Sequence, residues 1–245
     1  MMSEPHLSVR GLHKWYGAVH ALRDLDLDIP KGQVLGLIGD NGAGKSTFIK
    51  ILSGVHQQTE GQIHFEGKPA RIVTPRDAMN LGIETIYQYT AMVPEMSIAR
   101  NLFIGREKRK WGVRGFGFLD QRAMAKEALE AIADVGLHLR SAEAPVKDLS
   151  GGQLQGVAIA RAMHFRSRML ILDEPTNHLS VKETNKVLDY VRQLGAQGIT
   201  VIFISHNLHH VHEVSDRIVA FAQGSKVADL ETADTDVPTM IDLIT

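Results

Sequence analysis

Residues 34–54, VLGLIGDNGAGKSTFIKILSG, pass from an apolar run through a glycine-rich turn into an amphipathic run. Val34 to Ile38 is apolar on both faces of an extended chain, which belongs inside a sheet. A helix is expected from about Lys45 to Leu52, so the glycines stand at a strand–turn–helix junction. The turn itself, Gly39-Asp40-Asn41-Gly42-Ala43-Gly44-Lys45-Ser46 followed by Thr47, is a full G-x-x-x-x-G-K-S phosphate-binding loop. Its glycines let successive backbone N–H groups face a polyphosphate, and the helix N-terminus adds favourable potential. Lys45 neutralises β- and γ-phosphate charge, and Ser46 offers an oxygen to Mg²⁺. A surface turn with a chance lysine would not require a buried strand before it and a helix after it.

Outward from this loop, further buried strands are expected around Ile83 to Tyr87 (GIETIYQ), Arg168 to Asp173 (RMLILD) and Ile199 to Ser205 (ITVIFIS). Helical patterns separate them, notably Val181 to Leu194, which predicts an α/β fold with a mainly parallel sheet around a P-loop NTPase core. Leu25, Leu27 and Ile29 alternate with Asp24, Asp26 and Asp28, the period of a strand with one wet face, and Leu7 and Val9 can pair with it antiparallel. Between Ile98 and about Phe165 the pattern is mostly helical, as in DQRAMAKEALEAIADVGLHL at 120–139. The expected organisation is one domain over 1–245. Its nucleotide-binding core and antiparallel β subdomain are formed by 1–97 and 166–245, with a helical subdomain, 98–165, inserted. DRIVAFA and SKVADL, past Val214, read as two short strands joined by a Gly-containing turn.

A phosphate cradle does not hydrolyse a nucleotide alone; it needs a metal-orienting acid and a group that positions water. ILDEPTNHLS, residues 171–180, supplies both. Asp173 ends an apolar strand at the carboxyl edge of the sheet, where ligands of open α/β folds collect, so it can hold Mg²⁺ through water. Glu174 is the candidate to polarise the attacking water. Without the upstream loop the pair would read as two surface acids. DLSGGQLQGVAIARAM, residues 148–163, adds a second anion-binding helix start, with Ser150 as its cap and two glycines baring its first N–H groups.

These residues together resemble an ABC-type ATPase subunit. The resemblance covers nearly the whole chain and includes order: the phosphate loop, Gln88 after a strand, Leu149-Ser150-Gly151-Gly152-Gln153, the Asp173-Glu174 pair, then His206. It implies that Tyr16, in KWYGAVHAL, stacks on the adenine of ATP. Gln88 would sit at the metal and the water, and His206 at the γ-phosphate and the water. Ser150, Gly151, Gly152 and Gln153 would bind the γ-phosphate of ATP held in the loop of another protomer, so a homodimer with two composite sites is implied. GDNGAGKST, MVPEMSIARNLFIGRE and ISHNLHHVHEVSDRI are most similar to the ATPases of bacterial importers of monosaccharides of the ribose, xylose and fructose type. The implied partners are membrane permease subunits and, indirectly, a solute-binding protein; the implied place is the cytoplasmic side of the cell membrane, as a peripheral subunit.

The chain departs from the family pattern at Tyr89, where an acid is expected, at Leu154, where a basic or amide residue is usual, and at Asn177-His178-Leu179-Ser180 after the catalytic acid. EPTNHL resembles a soluble branch of the superfamily that acts on ribosomes, which is the alternative reading. That branch usually carries two ATPase units and a charged linker, and this chain shows one unit and no basic excess. A formal net charge of -1 and a pI near 6.9 leave no electrostatic footprint for nucleic acid, and no nucleic-acid partner is expected. KRKWGVRGFGF, at 108–118, mixes basic and aromatic residues but reads as a solvated loop. His206, His209, His210 and His212 are close in sequence, with neither cysteine nor an acid cluster to complete a metal site. The absence of cysteine suits a reducing compartment. No apolar stretch approaches the roughly 18 residues of a spanning helix, so attachment to a membrane would need other subunits.

Overall fold

A computed structural model describes residues 4–87, 92–110 and 117–244. The chain divides into two units: Met1–Gln88, Ser167–Pro175 and Val191–Thr245 form one, and Tyr89–Arg166 with Thr176–Tyr190 form the other.

The first unit holds both sheets. β1 (Leu7–Tyr16) and β2 (Val19–Ile29) pair antiparallel with Leu7 opposite Ile29 and Val9 opposite Leu27. The register buries Leu25, Leu27 and Ile29 and leaves Asp24 and Asp26 in water, as the period of two requires. After β3 (Val34–Gly39) and α1 (Lys45–Leu52), the strands β4 (Glu60–Phe65) and β5 (Lys68–Pro69) complete a four-stranded antiparallel sheet in the order β2-β1-β4-β5. α2 (Pro75–Leu81) starts in a capping box between Thr74 and Asp77 and leads into β6 (Ile83–Ile86).

In the second unit, α3 (Ile98–Phe103), α4 (Gln121–Asp134) and α5 (Gly151–His164) pack on one another through buried residues such as Leu102, Phe103, Met124, Ile132 and Ile159. Asn101, fully buried, fixes the approach to α3 by accepting from Val93 N–H (2.8 Å) and donating to the Val93, Met96 and Ser97 carbonyls (3.1 Å each). α4 is capped by Asp120, whose carboxylate accepts from Ala123 N–H at 3.1 Å. The helix stops at Asp134, short of the whole run 120–139 that its apolar spacing suggests. The physical reason is Gly136, at φ 73° in the left-handed region that ends helices.

β7 (Met169–Asp173), α6 (Val181–Ala196), β8 (Thr200–Ile204), α7 (Leu208–Val214), β9 (Arg217–Ala222), β10 (Ser225–Glu231) and α8 (Val237–Asp242) follow. Residues 181–190 of α6 group with the second unit and 191–196 with the first. The larger sheet has the order β10-β9-β3-β8-β7-β6; every pairing is parallel except β10 on β9, which makes β10 an antiparallel edge. Gln223 and Gly224, both at positive φ, make the two-residue turn between β9 and β10 that strand twist favours.

One apolar cluster joins Leu25 and Leu27 of the small sheet, Leu37, Ile171 and Ile202 of the large one, and Phe48, Ile51 and Leu52 of α1. All six residues of β3 are buried, so the loop that follows it leaves the sheet from a fully supported strand. Among the described residues no helix is long and apolar enough to cross a membrane.

Candidate active site

The cradle follows from two glycines that no other residue could replace without movement. Gly39 sits at φ 143°, and a Cβ there would lie 2.3 Å from the Phe221 carbonyl oxygen and 3.1 Å from Ala43 Cβ. Gly44, at φ 105°, precedes α1, and its Cβ would lie 2.9 Å from both the Ala21 carbonyl oxygen and Leu22 Cδ2. Among the described residues no side chain caps the start of α1, so its first N–H groups are left for an anion. Lys45 folds back into the loop, its Nζ donating to the Gly39 carbonyl and to the Asp40 carbonyl at 3.0 Å. Burial lowers its pKa, opposed by the charges of Glu174, Asp40 and Asp173.

The acids reach the cradle from the end of β7. Asp173 pairs with Ile204 of β8, and Glu174 N–H donates to the Ile204 carbonyl at 2.9 Å, so both acids are held by the sheet itself. Glu174 takes φ 54°, a left-handed conformation that is costly for a non-glycine residue. Its side chain is buried. The backbone N–H of His206 donates to Glu174 Oε2 at 3.2 Å, while His206 Nε2 lies 3.3 Å from Oε1. Burial raises the pKa of Glu174 and of Asp173; hydrogen bonding and charge from His206 act against the first, and Lys45 and His206 against the second.

These groups enclose a cavity of about 310 Å³, lined by residues 40–47 with Ala21, Asp173, Glu174, Ile204 and His206. Ser46, Thr47 and Asp173 bring an all-oxygen donor set to it, the chemistry a hard divalent cation such as Mg²⁺ takes.

Of the other residues singled out in the sequence, Tyr16 ends β1 at 39% exposure, its ring edge-on to His56 (5.4 Å) with Lys14 Nζ 5.0 Å from its centroid. It is not among the residues lining the cavity. Gln88 and Tyr89 lie outside the described residues; Tyr87 just before them is anchored through its hydroxyl, 2.7 Å from Ser53 Oγ. Residues 111–116 of the basic-aromatic loop also lie outside them. Asn207 caps α7 by accepting from His209 and His210 N–H, His210 Nε2 is 3.1 Å from Asn207 Nδ2, and His212 Nε2 is 2.9 Å from the Thr235 carbonyl. Among the described residues no group of three or more His, Cys, Asp or Glu is arranged to hold a metal ion.

Ser150 caps α5, in the second unit, as its sequence suggests: Gln153 N–H donates to Ser150 Oγ (3.4 Å) and Gln153 Oε1 accepts from Ser150 N–H (3.0 Å). Sequence reasoning missed that Gln153 closes this box and that Glu183 and Leu179 lie against Gly152 and Gly151. The S-x-x-Q at 150–153 was the available signal for the box; the S-x-x-E at 180–183 marks only a cap at the start of α6, and the contact with Gly152 had no local signal.

A phosphate loop between a buried parallel strand and an uncapped helix, with a strand-end Asp-Glu pair across the cavity, defines a P-loop nucleotide-hydrolysing core. The chain belongs to the ABC transporter family, whose model matches residues 22–177. It is 46% identical to the fructose import ATP-binding protein FrcA of Rhizobium meliloti over 96% of this chain and 91% of the relative. It is 41% identical to the xylose/arabinose import ATP-binding protein XylG of Sulfolobus acidocaldarius over 98% and 93%. Against the ribose import ATP-binding protein RbsA 2 of Escherichia coli O157:H7 identity is 37% over 94% of this chain, which spans only 44% of that relative. Among solved structures, MJ1267 in its ADP conformation, an ATP-binding cassette of an ABC transporter, superposes with a TM-score of 0.82 at 25% identity, covering 98% of each chain. The protein is an ATP-binding ATPase of the transporter class.

Proposed function

We propose that the chain powers import of a monosaccharide: two copies close on two MgATP molecules, hydrolyse them, and pass the opening and closing to separate permease subunits on the cytoplasmic face of the membrane. A solute-binding protein would deliver the sugar to the permease. The observation that supports this reading most is likeness over more than nine-tenths of both chains to the fructose and xylose/arabinose import ATP-binding proteins, 96% and 91% for the first and 98% and 93% for the second. The fructose, xylose/arabinose and ribose relatives lend no support to a ribosome-directed role, despite the wording EPTNHL. The helical unit and the segment 88–96 are the proposed docking surface for the permease.

In this reading the N–H groups of Gly42, Ala43, Gly44, Lys45, Ser46 and Thr47 face the phosphates, with Asp40 and Asn41 shaping the turn and Gly39 its base. Lys45 leaves the Gly39 and Asp40 carbonyls to follow developing charge on the β- and γ-phosphates. Glu174 accepts the hydrogen bond of the attacking water. Its raised pKa brings its basicity closer to that useful at neutral pH, and His206 holds it in place. Ser46, Asp173 and Gln88 would hold Mg²⁺, which when bound supplies charge neutralisation. Tyr16 packs on the adenine, and Ser150 to Gln153 of a second protomer complete the γ-phosphate site.

The test is purification of the tagged protein from a detergent extract of its host. Recovery with a polytopic membrane protein, whose deletion abolishes uptake of a labelled monosaccharide, supports the proposal. Recovery with ribosomal subunits and no membrane partner overturns it.

A further inference from the structure

A helix start free for an external anion should show its first N–H groups to solvent, but α5 already faces an anion from its own chain. Ser180 and Glu183 form a capping box at the start of α6. Glu183 Oε2 accepts from Ser180 N–H (3.1 Å) and from Ser180 Oγ (2.8 Å), and Glu183 N–H donates to Ser180 Oγ (3.4 Å). That box uses one carboxylate oxygen. The other, Oε1, accepts from Gly152 N–H at 3.4 Å, at the first turn of the fourteen-residue α5.

The approach is built into the residue types. A Cβ on Gly152 would lie 2.8 Å from Glu183 Cβ and 2.9 Å from its Cγ, and one on Gly151 would lie 2.6 Å from Leu179 Cδ2. The two glycines therefore admit the chain's own 179–183 segment as well as any phosphate. The Ser150 hydroxyl, followed by the Ser180 side chain and backbone, holds the Glu183 carboxyl down at about 2, so it is anionic at neutral pH.

We infer that Glu183 is a positioning residue of the composite ATP site: its carboxylate occupies the anion position at the start of α5, and must withdraw from Gly152 before the γ-phosphate held by a second protomer can dock there. This role rests on the proposed composite site. The two anions compete for one N–H donor and repel each other at contact distance. Withdrawal leaves α6 capped, because the Ser180 contacts use the other oxygen.

The measurement is the dimer dissociation constant, by sedimentation at saturating MgATP, in a Glu174→Gln background that does not consume the nucleotide. Adding Glu183→Gln or Glu183→Ala should tighten the dimer about tenfold, with ATP affinity in the dilute monomer little changed; Glu183→Ala should also melt lower, because it removes the carboxylate half of the α6 capping box. Glu130→Gln makes the same charge change at an exposed site on α4 and should not tighten it. A dimer indifferent to Glu183, loosened by its loss, or tightened equally by Glu130→Gln overturns the inference alone. A parent that stays monomeric at saturating MgATP overturns the composite-site reading and the inference with it.

Discussion

His206 and Glu174 are joined twice: the backbone N–H of His206 donates to Glu174 Oε2 at 3.2 Å, and its imidazole Nε2 lies 3.3 Å from Oε1. The backbone bond orients a buried carboxylate, and the half-exposed ring can reach both that carboxylate and the cavity. Removing the charge while keeping the shape separates binding from chemistry. Glu174→Gln is expected to retain ATP affinity and to lose turnover by about 10²–10⁴-fold, the usual contribution of a positioned base. His206→Ala should lose less, because the backbone bond to Glu174 survives it. Phosphate release and nucleotide calorimetry on the two variants check both statements.

The raised pKa of Glu174 also has a stability consequence. A carboxyl whose folded pKa lies above its unfolded value, about 4.3 for Glu, costs the folded state free energy once it ionises. That cost is absent below the unfolded pKa, grows through the window up to the raised folded pKa, and is complete above it. Glu174→Gln should therefore melt at a higher temperature than the parent at about pH 7, with the difference fading as the pH approaches about 4. Thermal melts of the nucleotide-free proteins at several pH values test the sign.

Lys45 is buried, and its ammonium donates to the Gly39 and Asp40 carbonyls, with the charges of Glu174, Asp40 and Asp173 nearby. A nucleotide offers it charged oxygens instead. Lys45→Ala is expected to weaken MgATP binding about 10–100-fold, the loss of one or two charge-assisted contacts, with the fold intact. Unchanged affinity by calorimetry would remove Lys45 from the cradle.

Local patterns made most of the cradle legible. Val34 to Ile38 reads as an interior strand because a glycine-rich turn bounds so short an apolar run, the G-x-x-x-x-G-K-S turn expects a helix after it, and α1 begins at Lys45 as that reading expects. The alternation of Asp24, Asp26 and Asp28 with buried neighbours revealed the wet face of β2 in the small sheet. Contacts that join distant segments carried no such period. Nothing at Gly152 announces that Glu183, thirty-one residues on, packs against it, and the end of α4 at Asp134 is set by one left-handed glycine rather than by the apolar spacing around it. The grouping of 176–190 with the helical unit is likewise a product of packing that no window of sequence contains.

Two glycines of the loop make a last prediction because they are constrained differently. Both have positive φ, 143° for Gly39 and 84° for Gly42, so alanine strains the backbone at either position. At Gly42 a Cβ would meet nothing within 4 Å, whereas at Gly39 it would lie 2.3 Å from the Phe221 carbonyl oxygen, which belongs to β9 beside β3 in the sheet. Backbone cannot rotate away as a side chain does, so Gly39→Ala must push β9 or the loop from its place. It should cost about 2–4 kcal/mol of stability, in the range of severe steric substitutions, while Gly42→Ala should cost about 1 kcal/mol, from strain alone. Gly42 lines the cavity, so its substitution should instead show mainly in nucleotide affinity, through the methyl group placed against the phosphates. Urea denaturation and ATP titration of the two variants should thus rank them in opposite orders, and equal stability losses would mean that the close approach at Gly39 does not shape the loop.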